Sequence, residues 1–279
     1  MADTAYKTVY KNEFIAAFEY GQSRLRSTVT TEFEAKGNTC TFLVAGSGSA
    51  SAVTRGVDGL IPARADSLTQ SSATLAEWHD LVRRTSFNIF SSQGDGKRIM
   101  QMTTLKVINR KIDADIIAQL DTATNDTGAA QQADLDVVMH ARTILGVNEV
   151  PIDEEDNMFG VITPAYEAFL MQIPEYASAY FVEVKPFSGP ARPFRRWAGV
   201  NWICHPKLTG TGTSSEKTYM YHRSSLGHAV NTGEMMVAVG YDEEQDYSYA
   251  RTSAFIGSKL LQNSGVVQML HDGSGYAAA

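Results

Sequence analysis

Cysteine is scarce: Cys40 and Cys204 are the two in 279 residues. A disulfide-framed secreted scaffold needs more, so the pair reads as reduced thiols of an intracellular protein. Apolar runs are short, and none reaches the roughly 20 residues that a membrane-spanning helix needs. The opening stretch MADTAYKTVYKNEF is charged and lacks the apolar core of a signal peptide. Lysine is missing altogether between Gly37 and Gly96. His-Glu-x-x-His, Cys-x-x-Cys and Gly-x-Ser-x-Gly are all missing too, which removes the usual signatures of zinc hydrolases and α/β-hydrolases.

What is present is ordinary for a folded chain: 43% hydrophobic and 20% charged residues, enough for a sizeable core at this length. The net charge of -7 is unevenly spread. Residues 1–36 balance, 37–111 carry +4, 112–183 carry −13, 184–233 carry +6 and 234–279 carry −4. Such blocks imply either solvated faces or copies packed head to tail, positive face against negative. A protein devoted to nucleic acid alone is more often basic.

Along the chain, residues 11–36 place Phe14, Ile15, Phe18, Leu25, Val29 and Phe33 near helical spacing, an amphipathic helix or arm interrupted at Gly21. Thr39–Gly46 reads as a strand, and Ser72–Phe90 as a second extended leg. Between them lies a glycine- and serine-rich tip with Gly46, Gly48, Gly56, Gly59 and Pro62. The tip opens like a phosphate loop but lacks a third glycine, a Gly-Lys-Ser/Thr ending and a following helix, so a nucleotide site is not expected.

From Asp95 to Asp121, Ile99, Met102, Leu105, Ile108, Ile112, Ile116 and Leu120 step by three and four. That predicts a long spine helix, with Met100 and Met102 as core filling. Ala133–Gly146 predicts a second amphipathic helix closed by Gly146. Asn157–Thr163 reads as a strand, followed by a helix with Thr163 as N-cap and Pro164 in its first turn. Strand patterns then dominate to Leu270. Long helices with antiparallel strands make the class α+β.

This order resembles the major capsid protein of tailed bacteriophages, the Hong Kong 97-type fold. The likeness is carried most by DGKRIMQMTTLKVINRKIDADIIAQLDTATNDTG and SYARTSAFIGSKLLQNSGVVQML. It implies an N-terminal arm (1–37), an extended loop (38–92), a peripheral domain (93–128 and 232–279) and an axial domain (129–231). The loop would lie over a neighbouring subunit, with Leu60, Ile61, Leu68, Leu75 and Trp78 packing there and Arg55, Arg64, Arg83 and Arg84 meeting its acids. It implies a non-enzymatic shell protein of the virion, without cofactor or metal. Copies would gather in pentamers and hexamers around loosely held double-stranded DNA. A separate scaffolding protein, a portal and a possible decoration protein complete the set, with assembly in the host cytoplasm. In some members a lysine of this loop forms an isopeptide crosslink; the lysine-free loop here predicts none by that route.

Two rivals stand beside this reading: an encapsulin-like nanocompartment, and a soluble Cys/His hydrolase using Cys204 next to His205. Adjacent residues on a strand point to opposite faces, which counts against the pair. Asp153–Asn157 and Asp242–Asp246 read as solvated acidic turns, since neither follows a calcium-loop pattern. Arg192, Arg195 and Arg196 beside Trp197 and Trp202 form either a weak nucleic-acid patch or a packing cluster.

Overall fold

A computed structural model describes residues 21–33, 37–47, 50–64, 67–86, 88, 96–177, 195–231 and 236–276. Of the helix or arm expected over 11–36, residues 11–20 and 34–36 lie outside these, as do the tip residue Gly48 and Arg192; its described part is a 3-10 turn and a strand, not a helix. A 3-10 turn at Arg26–Thr28 leads to β1 (Thr30–Glu32), β2 (Thr39–Gly46), β3 (Ser67–Thr74) and β4 (Ala76–Thr85). Helices α1 (Gly96–Leu120) and α2 (Leu135–Val147) follow, then β5 (Met158–Ile162), α3 (Pro164–Leu170) and α4 (Pro174–Ala177). The remaining strands are β6 (Arg195–Trp197), β7 (Val200–Cys204), β8 (Glu216–His222), β9 (Leu226–Val230), β10 (Met236–Asp242), β11 (Tyr247–Leu260) and β12 (Val266–His271).

The strands form two five-stranded sheets and a separate two-stranded ribbon, β2–β3. The first sheet runs β1-β9-β11-β10, and β4 also pairs with β11. Ile256 pairs with both Ala76 and Val230, so β4 takes one edge of β11 while β9 and β10 share the other. The second sheet runs β12-β8-β5-β7-β6. Period-two alternation lets its strands feed two cores. Phe159, Val161, Ile203, Tyr219 and Tyr221 join α1 and the first sheet in one core. Met158, Ile162, Trp202, Met220 and Met269 join α2 and α3 in the other. Burial on both faces explains the near-continuous apolar runs of β5, β7 and β8.

The spine is 25 residues long, about 38 Å. Its buried stripe differs from the expected one in the first half: Met100, Thr104 and Ile108 face inward, while Met102 and Leu105 are exposed. Thr104 is accommodated because its hydroxyl bonds Thr252 at 2.9 Å. From Ile108 to Leu120 the expected stripe is the observed one. In α2 the N-cap is Asp134, and the helix runs through Gly146 to Val147. Thr163 caps α3 as expected, accepting the Tyr166 amide at 3.1 Å.

Two expectations are corrected by strand pairing. The ribbon's returning leg is Ser67–Thr74, paired from Thr39↔Thr74 to Gly46↔Ser67. The following residues, Ala76–Thr85, pair instead with β11 in the first sheet. KTYMYHRSSLGHAV is two strands in different sheets, split by the 3-10 turn Arg223–Ser225. Val266–His271 joins β8 in the second sheet. Both sheets are mixed, since β1–β9 and β5–β7 are parallel.

Candidate assembly surface

Among its described residues, the ribbon is anchored only at its root. Phe42 lies over Gly227, where a Cβ would come within 2.8 Å of the ring. The Thr74 carbonyl crosses β11 at Gly257, where a Cβ would sit 2.2 Å from that oxygen. Leu75 is half-buried there with Cys40, Phe42, Ala73 and Ala229, and its amide donates to the Asn38 carbonyl at 2.8 Å.

Beyond the root the ribbon has no core. Leu60 is 73% exposed, Ile61 67% and Leu68 58%. The tip is held by its own backbone: the Gly59 amide donates to Gly56, and the Gly56 amide to Leu60, each at 2.9 Å. Arg55 donates to the Gly59 carbonyl at 3.1 Å and Arg64 to the Ser47 carbonyl at 3.3 Å. These two arginines therefore brace the loop.

The structure separates the nine residues expected at subunit contacts. Arg55, Leu60, Ile61, Arg64 and Leu68 are on the ribbon and its tip, and Leu75 is tucked into the root. Trp78, Arg83 and Arg84 sit on β4, within the first sheet. There Lys111 Nζ lies 3.7 Å from the Trp78 ring centre, and the Arg83 guanidinium 4.9 Å from that of Tyr247. The sequence reading missed a second exposed apolar row: Val237, Val239 and Tyr241 on the edge strand β10. Its signal was visible, because VAVGY alternates. On α1, Leu105 is exposed and turned about 120° from Lys111.

Much of the segregated charge cancels inside the subunit. Arg195 pairs with Glu167, and Arg196 with Asp156 and with Glu155 at 3.8 Å. Lys217 meets Asp121 at 3.3 Å. The +6 block thus closes partly on the −13 block of its own chain. Trp197 and Trp202 are buried, with the Trp202 indole N–H on the Trp197 carbonyl at 3.0 Å. The cluster is therefore packing, not a stacking platform for bases.

No nucleophile is assembled at Cys204. Burial, and then Glu167, push its thiol up to about 12. His205 turns away toward Asp113, 3.7 Å distant. A thiol that holds its proton at neutral pH is a poor nucleophile. Asp242 accepts the Glu244 and Gln245 amides at 3.1 and 3.2 Å, closing an ordinary acidic turn. Among the described residues no cluster of three or more His, Cys, Asp or Glu could hold a metal ion.

The profile of the phage capsid protein family matches residues 2–273. No curated protein matches the chain. Among solved structures, one from Mycobacterium phage Che8 superposes with a TM-score of 0.76 at 16% identity, covering 96% of this chain and 98% of its own. The capsid of cyanophage P-SCSP1u gives 0.74 at 11%, over 95% and 93%. The capsid of cyanophage Pam1 gives 0.70 at 13%, over 99% and 100%. The architecture is the Hong Kong 97-type fold, and the work it serves is structural rather than catalytic. With a ribbon, a spine and two sheets in this arrangement and the profile spanning nearly its whole length, the chain belongs to the phage capsid protein family and forms the shell of a virion.

Proposed function

We propose that the chain is the major protein of an icosahedral head, arranged in pentamers and hexamers, and that each ribbon rests on the next subunit. One observation carries this: Leu60, Ile61 and Leu68 are exposed on a two-stranded ribbon with no core of its own. Such a ribbon is marginal in water and gains by covering its apolar side chains on another surface. The receiving surface best matched to it is the exposed β10 row Val237, Val239 and Tyr241. The acidic turn Asp242–Asp246 at the end of β10 complements Arg55 and Arg64. Trp78, Arg83 and Arg84 on β4 would border the same contact from the other edge of the first sheet. On this reading α1 and the first sheet are the peripheral domain, and the second sheet with α2 and α3 is the axial domain.

The shell would enclose double-stranded DNA through loose, sequence-independent contact, which suits its acidic balance. A separate scaffolding protein, a portal and a decoration protein are the expected partners, and assembly takes place in the host cytoplasm. The test is the double substitution Leu60→Asp, Ile61→Asp, followed by sedimentation and electron microscopy. Folded subunits of 30.5 kDa without shells are expected; shells of normal yield would overturn ribbon docking. Particles purified from the unaltered chain should contain DNA, and an enzyme cargo in its place would favour the nanocompartment.

A further inference from the structure

Residues 21–32 form a short segment that touches the spine and both sheets near their junction. Its polar contacts converge on Asp113, a buried residue of α1. The Asp113 carboxylate accepts the Ser23 hydroxyl at 2.5 Å and the Leu25 and Arg24 amides at 3.1 and 3.2 Å. His205, just past β7, faces the same carboxylate. One turn earlier on the spine, Asn109 donates to the Gly21 carbonyl at 2.8 Å. Arg24 donates to the Cys204 carbonyl at 2.6 Å. Thr28 and the Tyr221 hydroxyl of β8 share a hydrogen bond of 2.6 Å. Leu25 and Val29 are fully buried in the core that both sheets share, and β1 then adds to β9 by three residues.

The segment's hold is therefore lopsided. Two apolar side chains and a three-residue strand supply the non-polar and ladder part, and one carboxylate accepts three of the remaining polar contacts, more than any other group. Burial alone would raise the Asp113 carboxyl. Hydrogen bonds from His205, Ser23 and the Leu25 and Arg24 amides more than offset that and hold it below its usual range. Beside the segment lies a cavity of about 180 Å³ bordered by Arg24, Tyr176 and Cys204, so the Cys204 side is covered in part by Arg24.

We propose that residues 21–32 are a releasable strap across the two sheets, and that Asp113 is the catch that holds it. Closed, the strap ties α1, β7, β8 and β9 into one body. Open, it frees the junction between the sheets and uncovers Cys204. A chain that fills both five-fold and six-fold rings must take more than one shape, and the strap gives it a place to change. That use rests on the shell reading, but the strap itself is testable on the isolated subunit.

The experiment uses unassembled subunits carrying Cys40→Ser, so that Cys204 is the one thiol. Asp113→Asn turns an accepting oxygen into a donor that faces other donors. It should speed maleimide labelling of Cys204 by about tenfold or more, and amide exchange at Arg24 and Leu25 to a similar degree. Exchange at Tyr219–Tyr221 of β8 should stay as in the parent. Unchanged labelling and exchange would overturn the proposal, and so would an equal rise in β8, which signals general loosening. If Asp113→Asn does not fold, Ser23→Ala removes a single donor and must give a smaller rise confined to the same amides. Because nothing is assembled, a failure here leaves the shell reading standing, and missing shells leave the strap standing.

Discussion

His228 is fully buried in β9 with its Nδ1 on the Ser258 hydroxyl of β11 at 2.9 Å. Burial, and then the nearby Arg26, lower its pKa to about 4, while Asp113 pulls weakly the other way. The folded chain therefore keeps this ring neutral where the unfolded chain would protonate it. Between the ordinary value near 6.5 and about 4, the unfolded state binds more protons, so stability falls as pH drops through that window. At pH 5 this single ring should cost about 2 kcal/mol. Asp113 acts in the same direction: its depressed carboxyl stabilises above the normal carboxylate value and ceases to as pH falls through the folded one. The check is urea unfolding of subunits at pH 7 and pH 5. His228→Asn, which can still reach Ser258, should shrink the difference between the two by about that amount, and an unchanged difference would assign the acid sensitivity elsewhere.

At the scale of elements, the ribbon and the first sheet are joined at Leu75, with Gly257 directly beneath the crossing. Gly257→Ala puts a methyl group into the Thr74 carbonyl, and backbone on both sides has little room to yield. It should lower subunit stability by about 1–3 kcal/mol, read as a lower denaturant midpoint with an unchanged slope. A midpoint equal to the parent would mean that the crossing is looser than drawn. This joint also marks where the sequence stops being informative. Alternation runs on from Ser72 through Thr85, so nothing local signals that the chain changes partners at Leu75. Pairing depends on residues about 170 positions away on β11. The same limit hid Val266–His271, whose apolar pattern fits either sheet. The lower half of α1, the Thr163 cap and the acidic turn at Asp242 were legible because each depends on neighbours within four residues. Met102 and Leu105 were misplaced because a polar residue, Thr104, takes the inward position through a hydroxyl pair that spacing cannot reveal.

For the whole molecule, the charge blocks invited an electrostatic account of assembly. The internal pairs of Arg195, Arg196 and Lys217 reduce what is left for neighbours, and the exposed ribbon residues at the centre of the proposed contact are apolar. Burial of apolar area resists salt, whereas exposed charge pairs do not. Formed shells should therefore persist in about 1 M sodium chloride, where screening acts within about 3 Å. Dissociation to subunits under those conditions, followed by light scattering, would show that charge dominates the interface. The ribbon tip was legible as an outward-reaching element from glycine, serine and stranded apolar residues. The landing surface proposed for it was not, because β10 becomes an edge only once β11 has chosen its partners.

One residue separates the strand that reaches outward from the strand that completes the inner sheet. A pull on the ribbon must then arrive at β4 through continuous extended backbone, and pass to β11 across their shared ladder. Internal pressure on such a container would be carried along covalent chain within each tile and would cross to the next one at the non-covalent seam where the ribbon rests.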